Sequence, residues 1–588
     1  MPRPRRMRYI FFMQFTGEQE AVFAASGDIK INAVAGSGKT TVLVEFARRQ
    51  PPGTRILYIA FNRSVRLSAQ ARFAEQNVTG VDVQTAHSLA YRRIAIPNNY
   101  RITKGYKIPE IAKILDLSPI GRDPHSAYII AGHILKFAAL FCNSSKSKIR
   151  DCDYRAIVTD EVAAKTVGRY YDAIEQGTRL FLARMDRKEI DATHDFYLKK
   201  YQLSHPNLAY DLIMFDEGQD ASPVMLDVFL AQKARKVIVG DRFQQIYGWR
   251  RAINALTRID FAEYTLTASF RFNEHVAGLA MECLKWKELL GETVGITIRG
   301  LGRNNKIATR ATLARTNLAL LKRAIDTVRH DRSVKTVYFE GNINSYTYAA
   351  DGASIYDVLN LYLDKRDRIR DPLIGSMTSF EDLEEYAEKS EDPELKMLMD
   401  IVSTYETEIP ALLKRITAMH VEDGLREKAD MIFSTLHRCK GMEYDSVALT
   451  EDFMTGERIR KLLAKESEEP CDREKLSEEI NVSYVAVTRS KNFLDFPDAM
   501  FPGADRSLFR KKSSGPGFPK RKHGGKDGAP AKRRERVGNQ YLPWTTMADE
   551  ELRRLYESGT PHNDLADYFK RKPGAISSRL KKLGLVEE

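Results

Sequence analysis

Five short apolar runs punctuate the chain, each ending in a polar or glycine-containing turn: Ile29 to Val34, Ile56 to Phe61, Leu212 to Phe215, Val237 to Val239 and Met431 to Phe433. Each has the length and content of a strand covered on both faces, and segments with helical periodicity lie between them. That alternation predicts parallel α/β architecture. In such sheets ligands bind beyond the carboxyl ends of the strands, where the polar motifs of this chain fall.

Two long stretches break the alternation. Residues 92–205 and 331–427 carry helical periodicity, for example at Ile129, Ile130, Ile134, Leu135 and Phe137, and read as helical insertions into two α/β units. From Arg510 to Gln540 eleven Lys or Arg stand against only Asp527 and Glu535 among many Gly, Pro and Ser, which predicts a flexible basic linker over 506–540. Apolar periodicity returns over 541–588, enough for a small separate module of three short helices parted at Gly559 and Pro573.

A chain of 588 residues exceeds one core, and about 150 residues per domain suggests about four. No apolar run reaches the roughly 20 residues that span a bilayer, so no membrane partner is expected. Arg3 to Arg8 followed by Tyr9 to Met13 imitates a signal peptide but lacks a cleavage site and reads as the start of the folded domain. Cys142, Cys152, Cys283, Cys439 and Cys471 show no metal-ligand spacing, which predicts neither a zinc nor an iron–sulfur site and fits a reducing cytoplasm. The net charge of +13 favours a polyanionic partner such as nucleic acid, although a membrane surface would attract the same sign.

Candidate chemistry starts at Ala33-Val34-Ala35-Gly36-Ser37-Gly38-Lys39-Thr40, directly after the first apolar run. A strand, a glycine-rich turn and a helix beginning near Thr40 make a phosphate cradle. Lys39 would reach the β- and γ-phosphates of ATP, and the Thr40 hydroxyl would hold Mg²⁺. Ala33 stands where the motif usually has its first glycine. Phe215-Asp216-Glu217-Gly218-Gln219-Asp220 follows another apolar run. Asp216 would bind Mg²⁺ there, and Glu217 would orient and deprotonate a water.

With these motifs the chain resembles the superfamily 1 DNA helicases of the UvrD/Rep type, from about Phe15 to Asn492. Gln19 matches the family's adenine-reading glutamine. The Gly240 to Arg250 segment matches its third motif, making Gln244 a γ-phosphate sensor. Ser269-Phe270-Arg271 and Tyr484 to Arg489 resemble the fourth and sixth motifs. The resemblance implies that Arg271 and Arg489 neutralise the transferring phosphoryl group from the second α/β domain, so that turnover requires domain closure. It further implies that Phe61, Asn62, Thr85, His87, Tyr247, Trp249 and Arg250 lie along single-stranded DNA. Thr435 and His437, in Ser434 to Tyr444, would join them, while Glu443 of that segment reaches the ribose. Base–aromatic stacking without sequence preference suits a motor that must release each nucleotide. Any one of these aromatics would serve equally well in a core.

The implied fold is two RecA-like P-loop domains, 1–91 with 206–271 and 272–330 with 428–505, carrying insertions at 92–205 and 331–427. Ala60-Phe61-Asn62, Ala314 to Asn317 and Tyr338 to Gly341 look closest to the F-box-containing branch, yet Gln19 falls within twenty residues of Met1, so no F-box is expected. The C-terminal segment resembles a Myb-like helix-turn-helix unit with Arg571, Lys572, Ser578 and Arg579 as candidate contacts; a protein-docking three-helix bundle is the alternative. The expected activity is ATP-dependent unwinding of duplex DNA with 3′ to 5′ movement on a single strand, in replication, recombination or repair, by a monomer or weak oligomer in the cytoplasm or nucleus. Repair or replication proteins are possible partners. A translocase that strips proteins from DNA, or a DNA-binding regulator on a degenerate NTPase core, are the rival readings.

Overall fold

The computed structural model describes residues 14–509, apart from 122, 249–252, 303–306, 342, 344–353, 391 and 467–470. In the C-terminal segment it describes 546–558, 560–569, 571, 576–577, 579–580, 583 and 585. The readings of Arg3 to Met13 and of nearly all the basic linker fall outside these residues, as do Gly559 and Pro573. The chain divides into two compact units, Met1–Gly515 and Pro516–Glu588, described separately.

All five expected strands form, and the larger unit holds two large parallel sheets beside two small two-stranded ones. The first has strands β1 (Ile29–Ala33), β2 (Ile56–Ala60), β3 (Val81–Thr85), β4 (Leu212–Phe215), β5 (Arg235–Gly240) and β6 (Ala262–Leu266), in the order β3-β2-β4-β5-β1-β6. Successive side chains of one strand point to opposite faces. Tyr58, Met214 and Val237 therefore pack with Val42 and Phe46 on one side, while Leu57, Ile59, Ile213 and Ile238 pack with Val224 and Phe229 on the other. That two-sided burial explains why these strands read as nearly unbroken apolar runs.

The helices that enter this sheet start on named caps. Thr16 caps α1 (Gly17–Phe23), α2 (Lys39–Arg48) begins at the left-handed Gly38, Asn62 caps α3 (Arg63–Glu75) and Thr85 caps α4 (Ala86–Ala90). The second sheet contains β7 (Arg310–Ala314), β8 (Val337–Phe339), β9 (Met431–Thr435), β10 (Tyr444–Leu449) and β11 (Ser490–Asp495), in the order β8-β9-β7-β10-β11. Strand β8 lies inside the stretch 331–427 read as insertion: Val337 to Phe339 pair in parallel with Met431 to Phe433, so the second domain keeps this segment for its own sheet. Three residues are too few for periodicity to register.

The first insertion is built on α5 (Ser126–Asn143) and α6 (Glu161–Asp186), which share a core including Ile130, Ile134, Phe137, Ile174 and Phe181. A side chain at Gly177 of α6 would collide with Ile134, so the two helices cross closely there. Helix α5 is long and apolar enough to cross a bilayer by length and composition; two-thirds of it is buried inside the protein. The second insertion includes helices Phe380–Lys389, Pro393–Tyr405 and Ile409–Met419. It meets the first through Lys389 with Asp123 at 2.8 Å and His125 with Asp382 at 3.1 Å.

In the smaller unit, helices Thr546–Glu557 and His562–Tyr568 and helical backbone at 576–577 and 579–580 close on a core of Leu552, Leu565, Ala566, Ile576 and Leu580.

Candidate functional site

Strands β4, β5 and β1 are neighbours, so their carboxyl ends bring three motifs together: Asp216 and Glu217 after β4, Asp241 to Gln244 after β5, and the glycine-rich turn after β1. Ala33, Val34 and Ala35 bury their side chains in the protein, leaving only backbone for the cradle. Gly36 adopts φ 77° and Gly38 φ 82°. Any Cβ at Gly36 would fall 2.5 Å from the Arg271 Cβ and 2.6 Å from the Ser269 Oγ, so the turn needs glycine for both conformation and space. Ser37 Oγ is buried without a hydrogen-bond partner, an orphan that a phosphate oxygen would satisfy. Gln19 donates from Nε2 to the Ser37 carbonyl (3.4 Å), and its Oε1 accepts from the Thr16 amide (2.9 Å), which ties the first helix to the cradle. Thr40 is half-buried in the first turn of α2.

Lys39 Nζ lies 2.7 Å from Glu217 Oε2. Burial opposes the ammonium, but Glu217, Asp216 and Asp241 outweigh it and raise the lysine above its ordinary pKa. Asp216 moves the other way from its neighbour: burial and the adjacent Glu217 charge push it up, while Lys39 holds Glu217 down against burial. Tyr58 donates its hydroxyl to Asp216. Glu217 itself sits at φ 55°, ψ 46°, a left-handed conformation costing about 1–3 kcal/mol that aims its carboxylate back at the cradle. The pairing of Asp216, Tyr58, Glu217 and Lys39 places two carboxylates of opposite tendency beside the cradle of backbone amides.

The second domain completes this site. Val34, Ala35, Phe243 and Ile246 lie in the same buried cluster as Leu313, Tyr484 and Val485. Tyr484 donates to Asp241 (2.9 Å) and accepts from the Ala35 amide (3.4 Å). Arg489, 1% exposed, donates to the Val485 carbonyl (3.1 Å), the Met442 carbonyl (3.0 Å) and Gln244 Oε1 (3.3 Å). Burial and then Arg271 lower it to about 10, so it remains charged at neutral pH. Gln244 donates in turn to Asp241 at 2.7 Å.

Arg271 departs from the expectation that it acts from the second domain. Its backbone adjoins the cradle, the Phe270 amide donating to the Gly36 carbonyl (2.9 Å), because the segment follows directly on β6 of the first sheet. Its guanidinium then bridges outward to Glu443 (2.8 Å) and the Thr488 carbonyl (3.1 Å). Glu443, rather than standing free for a ribose, is held by Arg271 and Lys491. Phe270, 49% exposed beside the cradle, is an aromatic that periodicity does not single out.

Sequence reasoning also missed Lys440. From the second domain its Nζ reaches Asp220 at 2.6 and 2.7 Å and the Gln244 carbonyl at 2.6 Å, with side chains 9% and 1% exposed for Lys440 and Asp220. Burial raises Asp220 to about 6 despite the lysine. Lys440 falls inside the Ser434 to Tyr444 segment, where the resemblance gives roles only to Thr435, His437 and Glu443.

Lys440 also lies 4.6 Å from the centre of the Tyr247 ring. Tyr247 stacks on Phe61 at 6.0 Å with 16° between planes and donates its hydroxyl to the His437 carbonyl (2.9 Å). Burial, then Arg315, hold His437 down to about 4, so its ring is neutral near pH 7. Thr435 is buried. Asn62 and Thr85 are exposed to different degrees, and each spends its side-chain oxygen on a helix cap: Val65 donates to Asn62 (2.9 Å) and Ser88 to Thr85 (3.1 Å). His87 lies 3.6 Å from Asp195. Trp249 and Arg250 lie outside the described residues, as do Lys572 and Ser578. In the small unit Arg579 pairs with Asp549 (2.7 Å), an internal bridge rather than an open contact, and Arg571 is lowered by burial and by Arg579.

Comparison with known proteins agrees with this arrangement. Residues 16–258 match the UvrD/REP helicase N-terminal domain and residues 305–496 the UvrD-like helicase C-terminal domain. The chain is 29% identical over 514 residues to F-box DNA helicase 1 of Gallus gallus, covering 79% of this chain and 47% of that protein. It is 27% identical over 518 residues to F-box DNA helicase protein 1 of Schizosaccharomyces pombe, covering 80% and 56%. To the ATP-dependent DNA helicase PcrA of Bacillus subtilis it is 28% identical over 290 residues, covering 42% and 36%. The chain thus spans about half the length of the two F-box helicases it matches.

Proposed function

This chain belongs to the UvrD/Rep-type helicases, its two halves matching that family's N- and C-terminal domains, and we propose that it is a DNA-stimulated ATPase that moves on single-stranded DNA and unwinds duplex DNA. The observation that carries the reading is the cross-domain closure: Arg489 and Lys440 of the second domain already touch Gln244 and Asp220 of the first. An NTPase whose site is assembled from two domains converts nucleotide state into domain position.

Magnesium ATP is the substrate. Backbone amides from Gly36 to Lys39 would surround the phosphates, Ser37 Oγ would gain its missing partner, and Asp216 with Thr40 would hold the metal, which neutralises phosphate charge. The entering phosphates draw Lys39 away from Glu217, freeing that carboxylate to orient and deprotonate water. Arg489 meets the charge that develops on the transferring group, Arg271 would join it by releasing Glu443, and Gln244 reports it to Asp241 and Tyr484. On the other side of Lys440, the Phe61–Tyr247 pair is the stacking platform for the strand. The family resemblance supports 3′ to 5′ movement and a role in replication, recombination or repair, and similarity to proteins named as DNA helicases supports DNA as the substrate. The C-terminal module we assign to a second, tethered DNA contact.

ATP hydrolysis with and without single-stranded DNA over a salt series tests the proposal. Strong stimulation that fades with salt is expected. A flat, very low rate would overturn it in favour of a DNA-binding protein on a motor fold, and strand displacement would separate unwinding from protein stripping.

A further inference from the structure

Beyond α4 the helix does not end; it widens. The Ile96 amide bonds to the Tyr91 carbonyl five residues back (3.0 Å), making Tyr91–Ala95 a π-helical turn. Such turns are rare, and many occur at functional sites. Here the turn leaves Ala95 in the core and turns Tyr91, Arg92 and Arg93 to solvent, with Tyr91 42% exposed. Neither arginine forms an ion pair among the described residues. Two adjacent exposed guanidinium groups outside any ion pair create a local positive potential.

Aromatic rings stand next to them. Tyr91 packs edge-on against Tyr197 (5.9 Å), and His87 and His194 pack against the same ring at 6.3 and 5.7 Å. Tyr197 is buried and bonds His194 Nδ1 through its hydroxyl (2.8 Å), which fixes the cluster from beneath. Two carboxylates border the patch and both are engaged: Asp195 by His87 (3.6 Å) and the Asn143 amide (3.0 Å), and Asp82, on the Arg93 side, by the Tyr210 hydroxyl (2.6 Å). The patch is continuous with the strand platform: β2 and β3 pair in parallel with Ala60 opposite Thr85, so Phe61 and Asn62 leave the sheet alongside His87.

We infer that this π-turn is an additional binding site for single-stranded nucleic acid, carrying the strand off the edge of the first sheet and onto the first insertion. Arg92 and Arg93 take backbone phosphates, and Tyr91 offers its exposed face to a base. Stacking plus phosphate contact without a hydrogen-bonding reader makes the site indifferent to sequence. The inference rests on the proposed DNA-stimulated activity.

The test is equilibrium binding of a long oligothymidylate to the full chain and to the Tyr91→Ala/Arg92→Ala/Arg93→Ala variant, at 50 to 200 mM salt, with wild-type DNA-stimulated ATPase measured first. Two lost phosphate contacts lower the salt slope by about 1.4, so the variant should lose about sevenfold less affinity than wild type across that fourfold salt range. Its Kd at 50 mM salt should rise at least about tenfold, while ATPase without DNA stays the same. Arg92→Lys/Arg93→Lys should restore the slope, which a misfolded turn would not. An unchanged Kd and slope in the triple variant, beside a stimulated wild type, overturns this inference alone. A wild type that neither binds nor responds to DNA overturns the proposed function with it.

Discussion

Lys440 is the residue whose loss the geometry prices most clearly. Its ammonium joins the second domain to Asp220 and to the Gln244 carbonyl of the first, at 2.6 to 2.7 Å and almost fully buried. Removing one partner of a buried pair costs about 3–5 kcal/mol, because the remaining charge is left desolvated. Asp220 stands at about 6 with the lysine present. Without it the carboxyl rises further and takes up a proton at neutral pH, which holds the cost near the lower figure. The pair spans the two domains, so the cost falls on the closed arrangement rather than on either sheet. About 3 kcal/mol corresponds to roughly a hundredfold. Lys440→Ala should therefore lower kcat of the DNA-stimulated ATPase about a hundredfold, with little change in KM for ATP, whose cradle belongs to the first domain. Lys440→Met/Asp220→Asn removes both charges and should recover at least about tenfold of the loss. Steady-state ATPase of wild type, Lys440→Ala, Lys440→Met, Asp220→Asn and the double variant decides the matter. A single variant within threefold of wild type, or a double variant no better than the single, would refute the reasoning.

Four further outcomes follow from the site. Lys39→Ala should abolish turnover while DNA binding by fluorescence anisotropy stays near wild type; normal ATPase in that protein would sink the nucleotide assignment. Glu217→Gln breaks the Lys39 pair (2.7 Å) and removes the base, so nucleotide should bind more tightly while turnover falls about 10²–10⁴-fold, a split visible by comparing ATP titration with hydrolysis. Gly36→Ala meets both a left-handed backbone, at about 1–2 kcal/mol, and the collision with Arg271 and Ser269, so its ATPase should fall more than its melting temperature. His437, near 4 when folded and 6.5 when unfolded, contributes stability fully present above pH 6.5. That contribution is lost as pH falls toward 4, where the unfolded chain binds the proton first, for about 3 kcal/mol in all. Urea unfolding of wild type and His437→Gln at pH 7.5 and 4.5 should show a gap that closes at the lower pH, and a pH-independent gap would count against the assignment.

What the chain determined locally is the material of the machine. Unbroken apolar runs produced β1, β2, β4, β5 and β9 because a strand covered on both faces has no polar position to reveal, and the glycines at 36 and 38 specify the cradle through φ angles that other residues resist. Nothing local announced β8, three residues long, or the edge strands that complete each sheet. The ordered motifs also single out Lys39, Asp216, Glu217, Gln244 and Arg489 as candidates. Only the tertiary structure decided their relations. It assigned the Arg271 backbone to the cradle side of the boundary, turned Thr435 inward, engaged Glu443 with two cations, and joined Lys440 to a carboxylate 220 residues away in the chain. Periodicity reports which face of an element is buried; it carries no information about which distant charge will be buried against it. That choice is made when the two sheets close, and the cost of leaving a buried charge unpaired fixes the partners.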